Sequence, residues 1–131
     1  LGHLECLQLQ LGADALLLPG SSDLAYSPSK IYPYFLAERP ILAIVFRDSV
    51  LERLLLELSC AFMVPITEHG PKDEAHATLA WFFDYALAGF PAGVLPPKNR
   101  SLFGERFLAE TLTAAQCRLF DRALPPLTAK S

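Results

Sequence analysis

Short apolar runs alternate with helix-period stripes along this chain. Leu16–Leu18, Ile41–Val45 and Ala61–Ile66 are continuous apolar or near-apolar runs bounded by turn residues, each the length of a buried strand. No polar residue alternates within the first two, which predicts cover on both faces, as in a parallel sheet between helices. Leu4, Leu7 and Leu11 recur at helical spacing ahead of Gly12, predicting a helix over 3–11 that packs on the strand that follows. Leu51, Leu54, Leu55 and Leu58 form the buried stripe of another helix, opened by Ser49 and Glu52 at capping-box spacing. Leu79, Phe82, Phe83, Ala86 and Leu87 mark a helix over 73–88, stopped by Gly89 and Pro91. Residues 67–73 read as a turn, and the prolines and glycines of 89–100 forbid regular structure. Residues 102–124 read as helical, in two pieces where Thr113 and Gln116 cap a second start. Strands alternating with helices predict an α/β fold: three-layer and Rossmann-like, a partial parallel sheet flanked by helices. Three strands make half of such a sheet.

Composition narrows the class. Of 131 residues, 52% are hydrophobic and 19% charged, with a mean hydropathy of +0.30. No uninterrupted apolar run nears the ~18–20 residues that span a bilayer, so no transmembrane segment is expected. Buried parallel strands, or surface that normally meets more protein, account for the excess. The net charge of −3 and the lack of a basic run argue against a nucleic-acid partner. Cys6, Cys60 and Cys117 are odd in number and widely spaced, as suits free thiols in a reducing cytoplasm. No secretory leader is legible and no initiator Met is present, so a cytoplasmic piece of a longer chain is expected.

Candidate chemistry gathers after the first strand. The loop over 20–28 carries Ser21, Ser22, Asp23 and Ser27, followed by Ser29 and Lys30. Ligands of open α/β sheets bind at this carboxyl edge of the strands. Ser29 suits an N-cap, which leaves Lys30 in the first turn, where a cation opposes the helix dipole. A bound anion would resolve the conflict, held by Lys30 and free backbone N–H groups. An ordinary cap followed by a solvated lysine explains the pattern equally well. Pro33 must fall in the first turn, so this helix is short. No Gly-x-Gly-x-x-Gly and no Walker lysine is present.

Other groups weigh toward bland roles. His3, His69 and His76 lack zinc spacing and read as surface residues. Asp14 and Asp23 flank the first strand and could pair as acid and base, though strand-start and turn roles are simpler. Trp81, Phe82, Phe83 and Tyr85 read as core. Arg39 and Lys98 are exposed cations without a role. An open sheet edge could pair with a second copy, giving a homodimer.

Ala13-Asp14-Ala-Leu-Leu-Leu-Pro, then Pro28-Ser29-Lys30-Ile31-Tyr32-x-Tyr34-Phe-Leu-Ala, then Arg39-Pro40-Ile-Leu-Ala resembles the carboxyl-terminal, donor-binding domain of GT-B glycosyltransferases. The likeness is concentrated in residues 1–60, and Phe107–Asp121 is similar to the family's closing helix. It implies transfer of a sugar from a nucleotide-sugar donor, with no metal and no further cofactor. Ser27, Ser29 and Lys30 would meet the donor diphosphate, and Tyr32 or Tyr34 the base or ribose. No catalytic residue is assigned. Two departures stand out. The family's ribose-gripping glutamate falls at Pro33, and its companion at Ala25. The acceptor domain and the first donor-domain strands are also missing, so these 131 residues alone are expected to be inactive. The alternative is a non-catalytic α/β interaction or regulatory module with a degenerate donor site.

Overall fold

The computed structural model describes residues 2–71, 73–89 and 95–123, and gives only the backbone of Asp73, Leu87, Asp121 and Ala123. Residues 90–94 of the proline-rich loop, the Leu87 side chain of the predicted stripe and residue 124 of the last helix lie outside this description. The chain divides into two compact units, Leu1–Asn99 and Arg100–Ser131.

The first unit is a three-layer α/β fold of Rossmann-like type. Its elements are α1 (His3–Gly12), β1 (Leu16–Pro19), α2 (Ile31–Leu36), β2 (Ile41–Phe46), α3 (Val50–Leu58), β3 (Phe62–Thr67), β4 (Gly70–Pro71) and α4 (Asp73–Ala88). The sheet order is β1-β2-β3-β4. β1 and β3 both pair with β2 in parallel, with Leu16 beside Ile41 and Leu42 beside Phe62. β4 is a two-residue strand antiparallel to β3. The turn predicted over 67–73 therefore contains a fourth strand, which two residues are too few to announce by alternation.

Alternation along β2 distributes the two faces. Ile41, Ala43 and Val45 are almost fully buried on one side, with Leu16 and Leu18 of β1 in register. Buried Ile31 and Phe35 of α2 and Leu51, Leu55 and Leu58 of α3 supply the helical cover on this side. On the other side Leu42 and Val64 pack with Ala75 and Phe82 of α4, flanked by Ile44, Phe62 and Trp81. The Phe62 ring lies 4.9 Å from Trp81 and 5.5 Å from Phe82, and Trp81 lies 4.6 Å from Tyr85. Phe82 is the core member of the aromatic cluster. Phe83, predicted to share that role, is 55% exposed. Leu54, also placed in a buried stripe by its spacing, is only half-buried.

Two predicted burials fail. Among the described residues β1 has no strand neighbour other than β2, and Leu17, on its α4 side, is 53% exposed. The apolar run does not prove double cover, because α4 packs chiefly over β3, and Leu17 borders only a cavity of about 190 Å³ with Phe82 and Phe83. Likewise α1 buries no residue, and Leu4 and Leu11 remain exposed. Leu7, Gln10 and Leu11 face Pro33, Leu36 and Ala37 of the α2 region across a cavity of about 240 Å³. Arg39 adds a hydrogen bond from its guanidinium to the Leu11 carbonyl.

The second unit holds α5 (Arg100–Phe107) and α6 (Ala109–Ala123). The helix predicted over 102–124 does break in two, but at Leu108 rather than near Thr113. Thr111 Oγ1 donates to the Gly104 carbonyl at 2.8 Å across this break. Within α5 the Phe103 ring is buried, 5.7 Å from Phe107. No helix among the described residues is long and apolar enough to cross a membrane.

Candidate functional site

The carboxyl rim of the parallel strands carries three connections: the loop after β1, the β2–α3 corner and the β3–β4 turn. The first is built by its own hydrogen bonds. Ser21 Oγ accepts from the Asp23 N–H at 3.1 Å, and Asp23 Oδ1 accepts from the Ala25 N–H at 2.9 Å. This is the local side-chain capture that makes serine and aspartate turn formers. The Leu24 carbonyl then accepts from the Val50 N–H at 2.8 Å, tying the loop to the start of α3.

α3 opens as its sequence predicts, with one shift. Ser49 Oγ accepts from the Glu52 N–H at 3.1 Å, while the Glu52 carboxylate accepts from Asp48 rather than Ser49, at 2.7 Å. Glu52 therefore already occupies the anion-favouring end of this helix. Beside it Arg47 extends from the end of β2 and pairs with Glu74 at 3.7 Å. Arg47, Asp48, Ser22, Leu24, Thr67 and Glu68 line a cleft of about 340 Å³ at the rim. Arg47 escaped notice in the sequence. Its signal was positional: it is the first residue beyond the buried run that ends at Phe46.

The predicted anion corner differs from expectation in detail. α2 begins at Ile31, so Lys30 rather than Ser29 holds the cap position, and its side chain makes no capping bond. The Ile31 and Tyr32 N–H groups donate to Pro28 O and Ser29 O, at 3.2 and 3.3 Å. Pro33 has no N–H, and the Tyr34 N–H donates to Lys30 O at 3.1 Å. The free backbone donors expected in the first turn of α2 are thus already committed, because the chain enters through a tight turn. Ser27, Ser29 and Lys30 are exposed, and Tyr32 and Tyr34 half-buried. None of the five lines the 340 Å³ cleft. Pro33 lines the α1 cavity, facing Leu7 and Leu11 rather than the rim.

Other candidates disperse. Asp14 lines a cavity at the amino end of the sheet with Glu38 and Arg39, whereas Asp23 sits beyond the carboxyl end. The strand between them keeps the two carboxylates from acting on one substrate atom. His3, His69 and His76 are exposed, and no group of three metal-ligating side chains forms among the described residues. All three cysteines are free thiols. Burial pushes the Cys60 thiol up to about 11, against a smaller opposing pull from the Lys98 charge. A thiol held protonated at neutral pH is a weak nucleophile. Lys98, read as an exposed cation, is in fact largely buried.

The rim thus belongs to a small α/β unit with polar, mixed-charge loops at the carboxyl edge of its sheet. Compared with protein-family models, with curated proteins and with solved structures, the chain gives no match.

Proposed function

We propose that the chain is the donor-binding part of a GT-B-like glycosyltransferase, which holds a nucleotide sugar by its diphosphate and passes the sugar to an acceptor. The observation that carries this reading is the exposed Ser27, Ser29 and Lys30 group where the loop after β1 turns into α2. That is the edge at which parallel α/β sheets take ligands. With the α2 amides committed, the contact would come from side chains: the Lys30 ammonium against phosphate oxygens, with the two serine hydroxyls as donors. Their part in catalysis is to stabilise charge on the departing diphosphate as the sugar leaves. The half-buried Tyr32 and Tyr34 would border the base or ribose. The same reading places the protein in the cytoplasm.

A second reading, a non-catalytic module on a degenerate donor scaffold, is favoured by one observation. Pro33 stands where the ribose glutamate would be and faces α1 instead. Thermal-shift titration with UDP, GDP and ADP separates the two. A ligand selective for the native state stabilises it by about 2.7 kcal/mol at a hundredfold excess over Kd. One nucleotide is expected to raise Tm, and Lys30→Ala to abolish the rise. No rise with any of the three supports the module.

The proposal extends to a homodimer through the open edge of β1. Leu17 offers its N–H and C=O there, while Pro19 lacks a donor and limits pairing to a short ladder. Sedimentation is expected to give twice the chain mass, and a strictly monomeric profile rejects this part.

A further inference from the structure

The Lys98 side chain is only 11% exposed. Its ammonium donates to the Phe35 carbonyl at 2.6 Å and lies 5.2 Å from the centroid of the Phe35 ring. A Glu38 carboxylate oxygen is 3.8 Å away. Phe35 belongs to the last turn of α2, where carbonyls lack intrahelical partners and a cation complements the helix dipole. The next residue does the same for α3. The Asn99 N–H donates to Leu58 O at 2.8 Å, and its Nδ2 to Glu57 O at 3.2 Å. One dipeptide closes the carboxyl ends of two helices, and Lys98 reaches Phe35 across 63 residues of sequence.

α2 depends on such support. It has six residues, fewer than a free helix needs, and Pro33 removes one of its donors. Its orientation is set by the burial of Ile31 and Phe35 and by the hold of Lys98 on its last turn. At about 1.5 Å per residue the helix is too short to absorb a displacement at one end. The other end is the Ser29–Lys30 corner.

We propose that Lys98 is a positioning residue for that corner: by fixing the last turn of α2 it sets where Ser29 and Lys30 stand on the rim. The inference rests on the corner meeting a diphosphate, as proposed above.

The test compares UDP affinity and amide hydrogen exchange in the protein and its Lys98→Ala and Asn99→Ala variants. Asn99→Ala removes the Nδ2 bond to the Glu57 carbonyl of α3 and is the control for general loosening. Lys98→Ala is expected to weaken UDP by about tenfold, as loss of a charge-assisted bond does, and to speed exchange in α2. Asn99→Ala is expected to leave UDP affinity within about twofold, an effect below that of a net hydrogen bond. Lys98→Met keeps the stem over the Phe35 ring without the donor and serves where the alanine variant does not fold. Equal weakening by the Lys98 and Asn99 variants overturns the proposal, as does unchanged affinity in Lys98→Ala. Should the unaltered protein ignore UDP but take GDP or ADP, the same comparison runs with that nucleotide; should it ignore all three, the diphosphate reading falls by itself. Exchange then decides: acceleration confined to α2 supports positioning, and unchanged α2 exchange refutes it.

Discussion

Phe35→Ala is expected to lower the free energy of unfolding by about 3–5 kcal/mol, the range for deleting a buried phenyl ring. Phe35 is 1% exposed, on the buried face of a helix that owes its order to burial rather than to length. The loss has two parts. Removing the ring leaves a cavity against the sheet, and it strips the Lys98 ammonium of the aromatic face 5.2 Å away. Against a typical total of about 5–15 kcal/mol, a domain this small has little reserve. Urea unfolding measures the effect as a fall in midpoint with an unchanged slope. A loss under about 1 kcal/mol, the level of a surface change, contradicts the assignment of Phe35 to the core.

Gly20→Ala is the second large effect, and its cause is backbone proximity. A Cβ at position 20 would stand 2.5 Å from the Ile44 carbonyl oxygen and 3.4 Å from Val45 Cα. The Gly20 N–H donates to that same carbonyl at 2.7 Å. The methyl group cannot enter without lengthening this bond, because the obstructing atom belongs to the central strand. The expected destabilisation is about 2–3 kcal/mol, from crowding together with a weakened buried hydrogen bond. The strain falls where the chain leaves β1 for the Ser21–Lys30 loop, so UDP affinity should drop with Tm. An alanine variant as stable as the parent would mean that the loop stands further from β2.

The sheet and its helices were legible wherever a residue pattern repeats. Ile41–Val45 reads as a central strand because both of its faces are apolar, and Ser49 with Glu52 marks the start of α3 within one residue. Leu17 and Leu11 misled, because composition records that a side chain is greasy but not whether a neighbour covers it. β4 was invisible, since two residues carry no period. The break between α5 and α6 moved from Thr113 to Leu108 because a threonine signals a cap only where the helix has already been interrupted.

The candidate site was legible in position more than in mechanism. Ser29 and Lys30 do lie at the entry to α2, one position earlier than expected, but the Pro28–Lys30 turn spends the amides that an anion would have used. Pro33 is the clearest departure in the sequence, and its reason is spatial, since it faces Leu7 and Leu11 rather than the rim. Arg47 drew no assignment from the sequence, and Lys98, read as exposed, drew the wrong one. Arg47 lines the rim cleft, and the Lys98 side chain is largely buried against α2. Neither charge nor spacing separates a solvated lysine from one folded under a helix.

Everything functional depends on an anion resting against the start of α2, and titrating the isotope-labelled protein with UDP while following every backbone amide tests this directly. The account predicts shifts at Ser27, Ser29, Lys30, Tyr32 and Tyr34, absent in Lys30→Ala. Saturating UDP with those five amides unmoved, or with movement only on α1 and β4, contradicts it.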